Sequence, residues 1–188
     1  MQGMSAACQT KGKEILVKSS DIAAPNILGE SNNLLALHTP EDYHFHTVSL
    51  INQSKRIIQI YSCDLPNVIF ANQAVTTALS DFVRKHRHVN IEILLKDTRL
   101  LIQKRPPLLN LNNRLSAIKI KKAHEDYYFG EETILLFDRT AFVKKPEVDS
   151  QMGKACYNDK ADVRTQSLAF SEYWERSVDD PNLREQLI

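Results

Sequence analysis

The sequence predicts an α/β domain in which helices flank a mixed β-sheet. Two observations lead there: short runs rich in β-branched residues alternate along the chain with stretches whose apolar residues recur at three and four, and near the end two strand-like runs stand on either side of a tight turn. The length of 188 residues agrees, since a chain of about 150 residues already buries about 70% of the surface it exposes when unfolded. No repeat and no internal linker interrupts the pattern.

Residues 1–13 lack periodicity and read as a frayed leader. Glu14 to Lys18 is a candidate short strand, followed by a loop carrying Pro25 and Gly29. Residues 1–38 are therefore expected to be a partly ordered N-terminal extension ahead of a domain over 39–188. Thr39-Pro40-Glu41-Asp42 marks a helix start: a capping hydroxyl, proline at the first helical position and acids beside the exposed N–H groups. That helix runs to about Gln53, with Val48 and Ile51 facing inward. Arg56 to Ser62 is a strand, closed by the turn Asp64-Leu65-Pro66. Val75, Ala78, Leu79, Phe82 and Val83 make the apolar stripe of a helix from Asn72 to His86.

Val89 to Leu95 forms the next strand and ends in the polar cluster Lys96-Asp97-Thr98-Arg99. Pro106-Pro107 breaks the chain before a helix over 108–115 and a strand over 117–121. Glu132 to Phe137 and Thr140 to Val143 predict a hairpin around Asp138-Arg139. Lys144 to Asp159, polar with Pro146 and Gly153, reads as a loop. Val163, Ser167, Phe170 and Trp174 then give a final helix over 161–177 whose aromatic face packs on the sheet.

Composition excludes several function classes. A net charge of +1 exerts no global pull on nucleic acid or anionic lipid, and 25% charged with 43% hydrophobic residues is the balance of a folded globular chain. No apolar run approaches the ~20 residues of a membrane span, and the N-terminus lacks the apolar stretch of a secretory signal. A cytoplasmic protein with no membrane partner is the expectation. Cys8, Cys63 and Cys156 form no Cys-x-x-Cys pattern and read as reduced thiols. With five glycines and no phosphate-cradling or zinc-protease motif, no cofactor or metal is expected. His44 and His46, two apart on a helix, point in different directions and read as a partly exposed surface pair. His86 and His88 sit at a helix end, and His38 and His124 stand alone.

Open α/β sheets bind ligands beyond the carboxyl ends of their strands. That selects Tyr61, Ser62 and Asp64 after one strand and Lys96, Asp97 and Arg99 after the next. Each also has an ordinary role: Asp97 and Arg99 as solvated turn residues, Asp64 as the cap of the turn at Pro66. A second candidate surface is basic, with Lys119, Lys121 and Lys122 joined by Lys144 and Lys145, and with Tyr127, Tyr128 and Phe129 nearby to stack on bases. The near-neutral chain disfavours sequence-specific nucleic-acid binding.

The order of elements over residues 40–178 resembles one half of a phospholipase D-like domain. In that superfamily the signature His-x-Lys-x4-Asp lies on the strand entering the hairpin, where the histidine is the nucleophile and the lysine holds the phosphate. Here Glu131 stands in the histidine position and Thr133 in the lysine position, while Asp138 is retained. Lys144-Lys145-Pro146 replaces the usual Gly-Ser. More narrowly, Ile60-Tyr61-Ser62-x-Asp64-Leu65, Leu95-Lys96-Asp97-x-Arg99, Phe137-Asp138-Arg139 and Tyr173-Trp174-Glu175 resemble an uncharacterised bacterial phospholipase D-like family. Its members often follow a GNAT-type acetyltransferase domain, for which this chain has no room.

A carboxylate repels phosphate and threonine carries no offsetting charge. The resemblance thus implies a non-catalytic binding or regulatory module for an unknown small anionic ligand or protein partner. A lone half also implies a homodimer. The competing expectations are a divergent phosphodiesterase, using Glu131 with Asp138 or Asp64 with a histidine, and a nucleic-acid-binding module.

Overall fold

The computed structural model describes residues 17–18, 25–70, 72–104, 106–124, 126, 130, 132–146 and 152–183. In chain order the strands are β1 (Val17–Lys18), β2 (Leu35–Leu37), β3 (Ile57–Ser62), β4 (Asn90–Leu95), β5 (Ile118–Lys122), β6 (Thr133–Phe137), β7 (Ala141–Lys145) and β8 (Gly153–Cys156). The helices are α1 (Pro40–Gln53), α2 (Asn67–Phe70), α3 (Gln73–Lys85), α4 (Arg99–Lys104), α5 (Pro107–Arg114) and α6 (Lys160–Glu175), with a 3-10 turn at Pro181–Leu183. Among the described residues the strands form one mixed sheet of eight, in the order β1-β2-β8-β7-β6-β3-β4-β5.

Direction changes at β3, which runs parallel to β4 and antiparallel to β6. Ile60 thus lies between Ile93 and Leu135. Alternation along the pleat sends successive side chains to opposite faces. Ile58, Ile60, Ile91, Ile93, Leu135 and Phe137 pack under α1, α3 and α5 in the main core. Tyr61 and Leu94 meet Phe170 and Trp174 of α6 on the other face, where Ile134, Leu136 and Phe142 meet Val163. Strands covered on both faces need continuous apolar runs, as β6 has: all five of its residues are buried.

The helix start read from Thr39-Pro40 is a complete capping box. Thr39 Oγ1 accepts from the Asp42 N–H at 3.2 Å, and an Asp42 oxygen accepts from the Thr39 N–H at 3.0 Å. Asn72 caps α3 by accepting from the Ala74 N–H at 2.8 Å.

Two expectations are corrected. The stretch 144–159 is not all loop: β7 continues to Lys145, and Gly153–Cys156 is a strand held between β7 and β2. Four residues beginning with glycine carry too little pattern to announce a strand, and this one exists because two neighbours supply its hydrogen bonds. His46 is not a half-exposed surface residue. It is 1% exposed, with Nδ1 3.0 Å from the Tyr157 hydroxyl and the two rings edge-on.

Burial holds the His46 imidazole below its ordinary value of 6.5, against the opposing pull of the Asp42 carboxylate. The native state keeps the ring neutral while the unfolded chain protonates at the ordinary value. The stability this histidine contributes is therefore intact above pH 6.5 and falls as the pH drops through it. Urea unfolding at pH 7.5 and 5.5 should show a larger loss on acidification for the native sequence than for His46→Gln. Equal losses would remove His46 as the source.

Candidate functional site at the strand-end rim

Because β3, β4 and β5 are parallel, their carboxyl ends share one rim. β6 starts there and β7 ends there, since both belong to the antiparallel part of the sheet. The pairing of β3, β4 and β5 runs past the strands themselves: Lys96 N–H donates to Ser62 O at 3.1 Å, Asp97 N–H to Cys63 O at 2.8 Å, and Ala123 N–H to Leu95 O at 2.7 Å. The rim is thereby fixed in place by backbone, which is what a binding site requires of its scaffold.

At its centre the Ser62 and Thr133 hydroxyls, both buried, share a hydrogen bond of 2.8 Å. Ser62 Oγ also accepts from the Leu65 N–H at 3.1 Å, turning the chain through Leu65 at a left-handed φ of 55°. Ser62 rather than Asp64 thus caps this turn, because its shorter side chain already lies under the returning N–H. Across from Thr133 in the β6–β7 register stands Lys145, on the same face of the sheet. Tyr61 points to the α6 face, buried against Phe170, and its hydroxyl donates to the Gly130 carbonyl at 3.2 Å.

On the next strand end, Arg99 and Asp97 are joined side by side. Nε of Arg99 lies 3.1 and 3.0 Å from the two Asp97 oxygens, and Nη2 lies 2.6 Å from one of them. Those hydrogen bonds hold the Asp97 carboxyl below the usual carboxylate range. The Arg99 side chain is 83% exposed, so the pair faces solvent and contributes little to stability. Thr98 between them is buried and donates to Asp180 Oδ2 at 2.7 Å. Burial pushes Asp180 up, but the hydrogen bonds from Thr98 and Asn182 and the charge of Lys122 outweigh it and leave that carboxyl lowered. Asp180 reaches the rim from beyond α6, a contact with no trace in local sequence.

Asp138 lies at the other end of the sheet. Its oxygens accept from three successive N–H groups, of Lys55 at 2.6 Å, Arg56 at 2.9 Å and Ile57 at 2.9 Å, where β3 begins. The whole length of β6, roughly 15 Å, separates it from Thr133. Glu131, Tyr127, Tyr128 and Phe129 lie outside the described residues.

The basic set also divides. Between β5, with Lys119 and Lys121, and β7, with Lys144 and Lys145, stand β4, β3 and β6, a distance of about 19 Å at the usual strand spacing. Lys144 is paired with Asp162 and lies over the Phe142 ring, while Lys121 lies over Trp174. Lys144 and Lys121 therefore stand at the two ends of α6's face of the sheet, and Lys145 lies on the opposite face with Thr133, so the set does not form one patch. Among the described residues no group of three His, Cys, Asp or Glu side chains is placed to hold a metal, and no helix is long and apolar enough to cross a membrane.

The architecture is that of phospholipase D-like proteins. NucT from Helicobacter pylori is similar over 79% of this chain and 98% of its own, with 13% identity and a TM-score of 0.56. Nuc from Salmonella typhimurium, a phospholipase D family member, is similar over 81% of this chain and 98% of its own, with 16% identity and a TM-score of 0.51. TrmBL2, an archaeal chromatin protein described as showing a novel mode of DNA binding, is similar over 78% of this chain, with 14% identity and a TM-score of 0.58. The chain spans 54% of the length of that chromatin protein. No curated protein matches the sequence. A family model described as a domain of unknown function matches residues 39–186.

Proposed function

Given that the chain belongs to the DUF7931 family, we propose that it is a non-catalytic phospholipase D-like module that holds a small anionic ligand at the strand-end rim and works as a homodimer. The Ser62–Thr133 hydroxyl pair carries this reading. On the resemblance read from the sequence, Thr133 takes the place of the signature lysine; its hydroxyl is engaged with Ser62 in a buried hydrogen bond. A hydroxyl becomes a useful nucleophile only beside a base, and among the described residues neither of these two bonds to one. Lys145 lies opposite Thr133, and the neighbouring strand end carries Lys96 and Arg99, the latter paired with Asp97, cationic groups suited to an anion's oxygens.

Asp138, engaged by three backbone N–H groups at the far end of the sheet, does not support the competing phosphodiesterase built on Glu131 and Asp138. Nucleic-acid binding draws support from the DNA binding described for TrmBL2, but the divided lysines leave it without a continuous basic track.

The test pairs turnover with binding. Bis(p-nitrophenyl) phosphate, single-stranded DNA and RNA should be hydrolysed no faster than in buffer. Calorimetric titration with pyrophosphate should show binding that weakens about tenfold in Arg99→Ala, the loss expected for one charge-assisted hydrogen bond. Turnover abolished by Asp64→Asn would replace the proposal with an enzyme. Oligonucleotide affinity that falls steeply with salt would replace it with a nucleic-acid module. Light scattering at micromolar concentration should give the mass of a dimer, and a monomer would remove that part.

A further inference from the structure

An edge strand presents a row of N–H and C=O groups that nothing in its own sheet satisfies. For β5 the pairing shows which groups these are. Ile91 N–H donates to Ala117 O at 2.8 Å and Ala123 N–H to Leu95 O at 2.7 Å, so residues 117, 119, 121 and 123 turn their backbone groups toward β4. Ile118, Ile120 and Lys122 turn theirs outward. Lys122 is satisfied by Val178, through two antiparallel hydrogen bonds of 3.0 Å, and the Ile118 N–H by Leu115 O at 3.0 Å. Among the described residues, the Ile118 carbonyl and both backbone groups of Ile120 have no partner.

The segment that covers Lys122 does not continue along the edge. Beyond Val178 it turns away through Asp180, held by Thr98, into the Pro181–Leu183 turn. Between that segment, the end of α5 and the open edge of β5 lies a groove of about 740 Å³, lined by Asn112, Arg114, Ile118, Ile120, Asp180 and Leu183 among others. A groove with an unpaired strand for one wall is the geometry of strand addition, in which main-chain hydrogen bonds supply affinity and alternate side chains supply specificity.

We propose that this groove binds an extended partner peptide of about five residues, which pairs with Ile118 and Ile120 as a ninth strand and sets an acidic side chain beside Lys119. The charge preference follows from Lys119. It is exposed and its side chain projects to the α6 face; Glu92, its register partner on β4, accepts from Gln59 Nε2 at 3.0 Å and makes no ion pair with Lys119 among the described residues. Opposite charges in neighbouring strands stabilise a pairing and like charges oppose it. The same residue argues against a second copy of this chain as the occupant. Antiparallel pairing of β5 with itself through Ile118 and Ile120 would set Lys119 directly across from its own counterpart, in the closer of the two kinds of residue pair. Opposite the lysine face, the peptide's alternate side chains would enter the groove beside Ile120 and Leu183, where apolar residues fit.

The groove meets the rim at Asp180, but Ile118, Lys119 and Ile120 lie away from it on β5, and the full chain is used to test the pairing. Two fluorescein-labelled hexapeptides serve as probes, one alternating valine with glutamate and the other valine with lysine. Fluorescence anisotropy should show at least tenfold tighter binding of the acidic peptide, and Lys119→Glu, a change at an exposed position, should reverse the order. Hydrogen exchange should show the Ile120 amide slowed when the acidic peptide is bound. No binding of either peptide at millimolar concentration, equal binding of both, or an Ile120 amide left unchanged would each overturn the proposal. So would an Ile120 amide that is protected without peptide in a concentration-dependent way, because a second copy would then own the edge.

Discussion

Asp138→Ala is expected to destabilise the protein by about 3 kcal/mol in urea unfolding, while Asp138→Asn loses only about 1 kcal/mol. The aspartate accepts from three consecutive N–H groups, and hydrogen bonds to a charged group are worth roughly twice those between neutral ones. Water replaces part of the loss at Lys55 and Arg56, which are exposed, but less of it at Ile57, where β3 goes under cover. Asp138 also sits at φ 48° and Arg139 at φ 57°, the left-handed pair of a tight hairpin turn. Alanine tolerates that region poorly and asparagine well. Asparagine also keeps an oxygen for Arg56 and Ile57 and gives up only the bond to Lys55. A loss below 1 kcal/mol in the alanine variant would show that the clip between the hairpin and β3 is not needed. The rim lies at the other end of β6, so pyrophosphate binding by folded Asp138→Asn should be unchanged.

Gly153→Ala should cost still more, about 3–4 kcal/mol, with Tm lowered by roughly 10 °C. An added Cβ would fall 2.1 Å from the Tyr43 hydroxyl oxygen and 2.5 Å from the Lys144 carbonyl oxygen. Neither can retreat easily. Tyr43 is fully buried, and the carbonyl belongs to the strand against which β8 pairs. The Tyr43 hydroxyl has no hydrogen-bond partner among the described residues, and burial, with help from the Asp42 charge, pushes its pKa up to about 12. Tyr43→Phe alone should therefore be close to neutral, since it removes a buried group that is already unpaired. Combined with Gly153→Ala it should recover part of the loss and leave the clash with the carbonyl. Thermal unfolding of the two single variants and the double variant measures this. A double variant no more stable than Gly153→Ala would assign the whole cost to the backbone.

What the sequence discloses is mostly what a single element determines for itself. The stripe Val75, Ala78, Leu79 and Phe82 defines α3 because a helix buries one face wherever it packs, and Thr39 with Asp42 defines the start of α1 because capping is a contact between neighbours. The hairpin of β6 and β7 is legible for the same reason. Features made by distant partners were hidden. His46 is buried by Tyr157, β8 exists through β7 and β2, and Thr98 is satisfied by Asp180. At the rim, the succession of strands along the chain and their carboxyl ends are readable, which makes Ser62, Asp97 and Arg99 candidates. That Ser62 would turn inward to Thr133 required the antiparallel register of β3 with β6, which no local pattern encodes. The division of the lysines is a matter of strand order too: Lys119 and Lys145 look alike in sequence, and only the topology sets them on strands four places apart.

The change of direction at β3 also bears on how the chain is made. One flank of β3 is covered by β4, the next strand to emerge from the ribosome, but the other waits for β6, whose Phe137 must return to Ile58. At ordinary rates of synthesis that interval is on the order of ten seconds. During it Ile57-Ile-Gln-Ile-Tyr-Ser62, an uncharged strand with three isoleucines, has an open side in a crowded cell. The yield of folded protein is then expected to depend on how soon the β6–β7 hairpin arrives relative to collision with another unfinished chain. Slow translation between β4 and β6 lengthens the exposure, and chaperone capture of β3 shortens it.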